Sequence, residues 1–285
     1  MHAARTTLRL TIAALALAAC SAQKEPEKAP ANAAAAAPAI PVVSVHARDF
    51  AFTAPSQVTA GATTFHFVND GPGLHHMTIV RLDSGKTMAD LSTAMKKPGP
   101  MPAWAVLVGG PNAVGPGDST SATLNLDAGN YVMMCLVDVP GGVPHFAKGM
   151  IQALTVTPAS GAAAAAPTAD VTLKLADYSF TPSKPLAAGK HTIAITNNGP
   201  QAHEVEFATL EPGKTAQDLL KWVMNMQGPP PGHAIGGSAP LDPGKTGYYT
   251  VDLAPGTYAM ICFVPDTKDG KPHALHGMAQ TITVQ

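Results

Sequence analysis

Apolar and polar side chains alternate in Thr64-Phe65-His66-Phe67-Val68 and again in His191-Thr192-Ile193-Ala194-Ile195, a period of two that predicts half-buried β-strands. Later come Gly129-x-Tyr131-x-Met133-x-Cys135 and Gly256-x-Tyr258-x-Met260-x-Cys262. Period-two spacing sends Tyr, Met and Cys to one face, so each cysteine ends a strand facing inward. Gly and Pro turns separate these short strands, the pattern of a two-sheet sandwich. The period changes at Thr87-x-x-Asp90 before Leu91 and Met95, and at Thr215-x-x-Asp218 before Leu219, Leu220 and Val223. Both predict a capped helix with one buried stripe, ended by Gly99-Pro100-Met101-Pro102 and by Gly228-Pro229-Pro230-Pro231-Gly232.

These features recur at a nearly constant offset. His75 matches His203 (203 − 75 = 128), Thr87 matches Thr215 (128), Cys135 matches Cys262 (127), His145 matches His273 (128) and Met150 matches Met278 (128). A repeat of this length is a whole domain. The fold class expected is all-β: two tandem Greek-key β-sandwiches, each with a short inserted helix, over residues 41–157 and 169–285. Residues 21–40, rich in Ala, Pro, Lys and Glu, and the Ala-rich residues 158–168 read as linkers, having no large side chains whose burial could offset the entropy of ordering. The 46% apolar content is therefore partly alanine and does not signal an enlarged core.

Arg5 and Arg9 precede an apolar run from Leu10 to Ala19, too short to span a bilayer and of the length of a secretory signal. Its end, Leu17-Ala18-Ala19-Cys20-Ser21, resembles the lipobox of bacterial lipoproteins. That resemblance implies that residues 1–20 are a signal peptide and that Cys20 carries lipid. It implies a protein of the bacterial cell envelope, facing the periplasm and held to the membrane through its N-terminal lipid. A formal net charge of −1 leaves no basic stripe for nucleic acid, which is not expected as a partner. No nucleophile–base arrangement, phosphate loop or Cys-x-x-Cys stands in the chain, so hydrolase and nucleotide chemistry have no foothold. Cys135 and Cys262 occupy the same place in separate repeats, which argues against a disulfide between them.

The chemistry lies in Cys135-x9-His145-x4-Met150 and Cys262-x10-His273-x4-Met278, each with a histidine far upstream, His75 or His203, after Asn-x-Gly-Pro. Here each repeat resembles the blue-copper cupredoxins, the family that includes plastocyanin and azurin. The resemblance implies one copper per domain, on His75, Cys135, His145 and Met150 and on His203, Cys262, His273 and Met278. Imidazole suits both oxidation states of copper, while thiolate and thioether favour Cu(I), so this donor set serves a one-electron couple. His76 aligns with Glu204, and His276 with Lys148, so neither histidine is repeated. His46, His66, His191 and His233 have no counterparts either and read as surface or loop residues.

The chain also departs from the family. Small cupredoxin carriers commonly place an asparagine after the first ligand histidine, where this chain has His76 or Glu204. The Cys-to-His loop is closer in length to that of copper nitrite reductases, with Val143-Pro144-His145 and then Gly149-Met150. In nitrite reductases and multicopper oxidases a histidine stands beside the ligand cysteine, whereas the neighbours here are Met134 and Leu136, Ile261 and Phe263. The expectation is therefore electron transfer without catalysis, the partner being a redox protein or a copper donor or acceptor. Cu(I) sequestration or delivery is the alternative, with Met77, Met133, Met134, Met224, Met226 and Met260 in its favour, although inward-facing Met133 and Met260 are more simply core. A metal-free interaction protein and, less favoured, a nitrite-reductase-like enzyme complete the alternatives.

Overall fold

The computed structural model describes residue 2, residues 38–97 and residues 99–285. The signal sequence and Cys20 lie outside the described residues. The first repeat supplies β1 (Val42–Arg48), β2 (Ala51–Thr53), β3 (Gln57–Thr59), β4 (Gly61–Asn69), β5 (Thr78–Leu82), β6 (Ala105–Gly109), β7 (Ser119–Leu126), β8 (Gly129–Met134), β9 (Asp138–Val139), β10 (Val143–Pro144) and β11 (Ile151–Thr157), with helix α1 (Met88–Ala94). The second supplies β12 (Val171–Ala176), β13 (Ser179–Pro182), β14 (Gly189–Asn197), β15 (His203–Leu210), β16 (Gly232–Leu241), β17 (Thr246–Leu253), β18 (Gly256–Ile261) and β19 (Ala279–Val284), with helix α2 (Ala216–Asn225). Both helices start on the expected capping boxes, Thr87 with Asp90 and Thr215 with Asp218.

The strands form an 8-stranded sheet, β13-β12-β14-β17-β7-β4-β1-β2, a 9-stranded sheet, β19-β18-β15-β16-β6-β5-β8-β11-β3, and a separate two-stranded ribbon of β9 and β10. Each repeat is thus a two-sheet sandwich, and the two are joined edge to edge through both sheets, β17 to β7 and β16 to β6. The chain is all-β over the described residues, two β-sandwiches in tandem, each carrying a short helix.

Register reveals how the repeats face each other. Pro111 bridges Ser238 (238 − 111 = 127) and Ala122 pairs with Tyr249 (249 − 122 = 127). In an antiparallel pair, a residue opposite its own repeat equivalent lies on a two-fold axis. The sandwiches therefore pack as an internal pseudo-dimer with an isologous interface. Two glycines lining it, Gly110 and Gly237, both have φ of +142°, and a Cβ on either would come within 2.0 Å of a carbonyl oxygen, that of Met77 or Val205. Only glycine permits this approach.

Alternation along β8 and β18 sorts side chains to two faces. Tyr131, Met133 and Cys135 enter the core between the sheets with Phe65, Phe67 and Leu124, while Val132 and Met134 face Leu91 of α1. Tyr258, Met260 and Cys262 repeat the first role, and Ala259 and Ile261 pack with Leu219 and Leu220 of α2. Each large apolar side chain so buried contributes about 1.5–3 kcal/mol.

Residues 158–168 rest on the start of β4, where Ala62 N–H donates to Ala164 O at 2.9 Å. His46 and His233 are exposed, as expected of surface residues, on strands β1 and β16, and His66 on β4 is partly buried. His191 is not a surface residue. It shares the inward face of β14 with Ile193 and Ile195, with Nδ1 2.6 Å from Asp170 Oδ2 and Nε2 2.9 Å from Ala187 O.

Candidate metal centre

His75 stands just before β5, bridged to Val114 by backbone hydrogen bonds. Cys135 directly follows β8, His145 opens a short 3-10 turn, and Met150 directly precedes β11. Backbone bonds clip this loop into one frame: Cys135 N–H to Met150 O (3.2 Å), His145 N–H to Val137 O (2.8 Å), Phe146 N–H to Cys135 O (2.9 Å) and Met150 N–H to His145 O (3.0 Å). The second repeat reproduces it with Cys262 N–H to Met278 O (3.1 Å), His273 N–H to Val264 O (2.9 Å), Ala274 N–H to Cys262 O (2.9 Å) and Met278 N–H to His273 O (3.1 Å).

Within each frame three donor atoms converge. His75, Cys135 and His145 bring one ligand atom each within 4.8 Å of one another, and so do His203, Cys262 and His273. The two Nδ1 atoms are 3.0 Å apart in both repeats. Sγ lies 3.5 Å from His145 Nδ1 and 3.4 Å from His273 Nδ1. Met150 and Met278 are fully buried in the same clusters as Cys135 and Cys262. Both cysteines are free thiols.

Acidic residues missed in the sequence fix the tautomers. Asp49 Oδ1 is 2.6 Å from His75 Nε2, and Asp177 Oδ1 is 2.6 Å from His203 Nε2. A carboxylate there holds the proton on Nε2 and leaves Nδ1 bare, facing the other donors. Burial, and then the neighbouring His75, lowers the pKa of His145, while burial and His203 lower that of His273 to about 4. Neutral imidazoles are what a metal requires. Burial pushes the Cys135 thiol up to about 12 and raises Cys262 as well. Backbone N–H groups of His76 and Val137 oppose that shift at Cys135, as those of Glu204 and Val264 do at Cys262. Two imidazole nitrogens and a buried sulfur converging at one point are well arranged around a soft cation. In the second repeat His273 Nε2 is buried with no hydrogen-bond partner among the described residues. The donor set fits copper.

The position after His75 and His203 proves structural. Leu136 N–H donates to His76 Nε2 at 2.7 Å, and Phe263 N–H donates to Glu204 Oε1 at 2.9 Å. Both side chains therefore tie the early histidine to the cysteine-bearing segment, with neither an asparagine. Around the second centre, Tyr178 Oη–H donates to Asp266 Oδ2 at 2.6 Å, and Gln201 Nε2–H donates to Asp177 and Asp266, both at 2.9 Å. In the first repeat Phe50 takes the tyrosine's place, its ring 5.0 Å from that of His145. Of the methionines considered for Cu(I), Met77, Met133, Met134 and Met260 are core residues, while Met224 and Met226 are exposed.

Two β-sandwiches, each gathering two imidazoles and a thiol at one buried point, define the class of molecule. No family model matches the chain, and no curated protein matches it. Among solved structures it is similar to dithionite-reduced auracyanin from Roseiflexus castenholzii, at 23% identity and a TM-score of 0.30, over 42% of this chain and 98% of that one. It is also similar to a Cu-containing nitrite reductase from Thermus scotoductus SA-01, at 13% identity and a TM-score of 0.26, over 87% of this chain and 62% of that one. A blue copper oxidase from Nitrosomonas europaea aligns at 15% identity and a TM-score of 0.27, over 87% of this chain and 86% of that one.

Proposed function

We propose that the protein is a two-centre copper carrier of single electrons in the bacterial envelope, anchored through lipid on Cys20. His75, Cys135, His145 and Met150 would hold one copper, and His203, Cys262, His273 and Met278 the other. The observation that carries this reading is the convergence of two Nδ1 atoms and a sulfur in each repeat. Copper supplies a one-electron couple. The protein keeps the donors dry and, through the loop frames and the Asp49 and Asp177 bonds, still, so that little moves when the charge changes.

Among the alternatives, Cu(I) sequestration loses support because four of the six methionines, Met77, Met133, Met134 and Met260, are core, which leaves only Met224 and Met226 exposed. A nitrite-reductase-like enzyme needs a second kind of copper site coupled through a histidine beside the cysteine, and Leu136 and Phe263 stand there instead. The test is to add Cu(II) to the full chain in detergent and record the visible spectrum. Intense thiolate-to-copper absorption is expected, about half of it lost in Cys135→Ser or Cys262→Ser, since each variant removes one of two thiolates. A colourless protein would sink the reading.

A further inference from the structure

The two centres share a donor set and differ in what surrounds it. His76 and Glu204 are repeat equivalents (204 − 76 = 128), and their far ends meet a single residue at the domain interface. His76 Nδ1 lies 3.2 Å from Asn112 Oδ1, and Asn112 Nδ2–H donates to Glu204 Oε2 at 3.3 Å. The direction of each bond follows from the ends. Leu136 N–H occupies Nε2 of His76, so the neutral ring carries its proton on Nδ1 and donates it to the Asn112 oxygen. The amide NH2 is then free for Glu204, which also accepts from Phe263 N–H. Further bonds from Asn112 Nδ2 to Val205 O and Ser238 O, both 3.2 Å, and from Ala113 N–H to Asn112 Oδ1 at 3.0 Å lock the amide in place. All three side chains are buried. Covalent and hydrogen bonds thus run unbroken from Cys135 through Leu136, His76, Asn112, Glu204 and Phe263 to Cys262. The repeat equivalent of Asn112 is Ala239 (239 − 112 = 127), so the bridge is built once, beside the pseudo-two-fold axis.

The charges around its two ends are unequal. Asp49 and Asp138 act on Cys135 of the first centre, where the Lys148 ammonium opposes them at His145. Lys148 lies over the Phe50 ring that packs on His145. Around the second centre stand Asp177, with Oδ1 2.6 Å from His203 Nε2, and Asp266, with Oδ2 3.7 Å from His273 Nε2, while His276 takes the place of Lys148 (276 − 148 = 128). Negative surroundings favour the more positive, oxidised state of a metal. The second centre is therefore the harder to reduce.

Resting on the copper reading above, we propose that the protein is a directional relay in which single electrons pass from the second-repeat centre to the first-repeat centre along the Asn112 bridge. In that step the second centre is oxidised by one electron and the first reduced by one; no bond breaks and no proton is transferred. One-electron redox proteins load the second centre and unload the first.

The test uses the copper-loaded full chain and its two single-thiolate forms. Cys135→Ser, which retains the second centre, should titrate at a lower potential than Cys262→Ser by at least the 59 mV that corresponds to a tenfold equilibrium for one electron. Asp266→Asn should narrow that gap. In the unsubstituted protein a reducing pulse should be followed by a concentration-independent phase that collects electrons at the first centre. Asn112→Leu should slow this phase severalfold while both potentials hold. Asn112→Ser, polar but too short to span the gap, must slow it too and serves if the leucine variant does not fold. Equal or reversed potentials overturn the proposal, and so does an unslowed phase in either Asn112 variant. Failure of the copper reading is distinguishable, because neither single-thiolate form would then develop visible absorption.

Discussion

Replacing Asp49 with alanine is expected to weaken copper binding at the first centre by ~10–100-fold. The His75 side chain is fully buried, and the partner of its Nε2 is Asp49 Oδ1 at 2.6 Å. Deleting that carboxylate leaves a buried ring N–H without an acceptor, a cost of about 1–3 kcal/mol. The ring has one escape: it can move its proton to Nδ1 and donate to His145 Nδ1, 3.0 Å away. That tautomer presents a proton where a metal must bind, so the cost reappears as lost affinity. A loss of ~10–100-fold corresponds to about 1.4–2.8 kcal/mol, in agreement with the hydrogen-bond estimate. Competition against a copper chelator, in a Cys262→Ser background so that the first centre alone reports, measures the effect. Nitrogen NMR of the metal-free protein reads the tautomer directly. Asp49→Asn, which keeps an acceptor oxygen without the charge, should lose less. Unchanged affinity in Asp49→Ala, with the proton still on Nε2, would refute the reasoning.

Other outcomes follow from the interface and the core. Gly237→Ala places a Cβ 2.0 Å from Val205 O at a φ of +142°, and backbone strain alone should cost about 1–3 kcal/mol, visible as an earlier denaturation midpoint; an unmoved midpoint would contradict the close packing. Burial raises the Glu204 carboxyl from its ordinary 4.5 to about 7. The unfolded chain thus releases this proton first, and metal-free protein should lose about 3 kcal/mol of stability as pH rises from about 4.5 to about 7. Glu204→Gln should abolish that part of the slope in urea titrations, and an identical slope in both proteins would exclude Glu204 as its source. Leu91→Ala, at the fully buried anchor of α1, should cost about 2–5 kcal/mol and leave the copper spectrum unaltered; a changed spectrum would mean that the helix supports the centre.

The strands, both capped helices and the duplication are legible because they rest on local periods and on spacing that occurs twice. Cys135, His145 and Met150 stand out for the same reason, as do Cys262, His273 and Met278. Asp49 and Asp177 carry no such mark inside one repeat, since a lone acid in a turn is ordinary; only their shared offset (177 − 49 = 128), each followed by an aromatic residue, signals them. The polarity of His191 hides its burial, although its place two residues before Ile193 puts it on the inward face. Asn112 has no signal in the chain. Its equivalent is alanine, and its partners come from strands brought together only when the sandwiches dock. Edge pairing of β6 with β16 and β7 with β17 is likewise invisible, because period-two alternation says which face is buried and nothing about which edge is covered.

That edge pairing bears on any attempt to divide the protein. Severing the chain within residues 158–168 would not release two finished halves, since each would carry raw strand edges on both of its sheets, templates that recruit other chains. Co-expressed fragments should instead find each other and reconstitute the whole, while either fragment alone should pair with its own kind or aggregate. A copy paired with itself would regain a true two-fold, and with it an Asn112 on each side of the axis but no Glu204 to receive it.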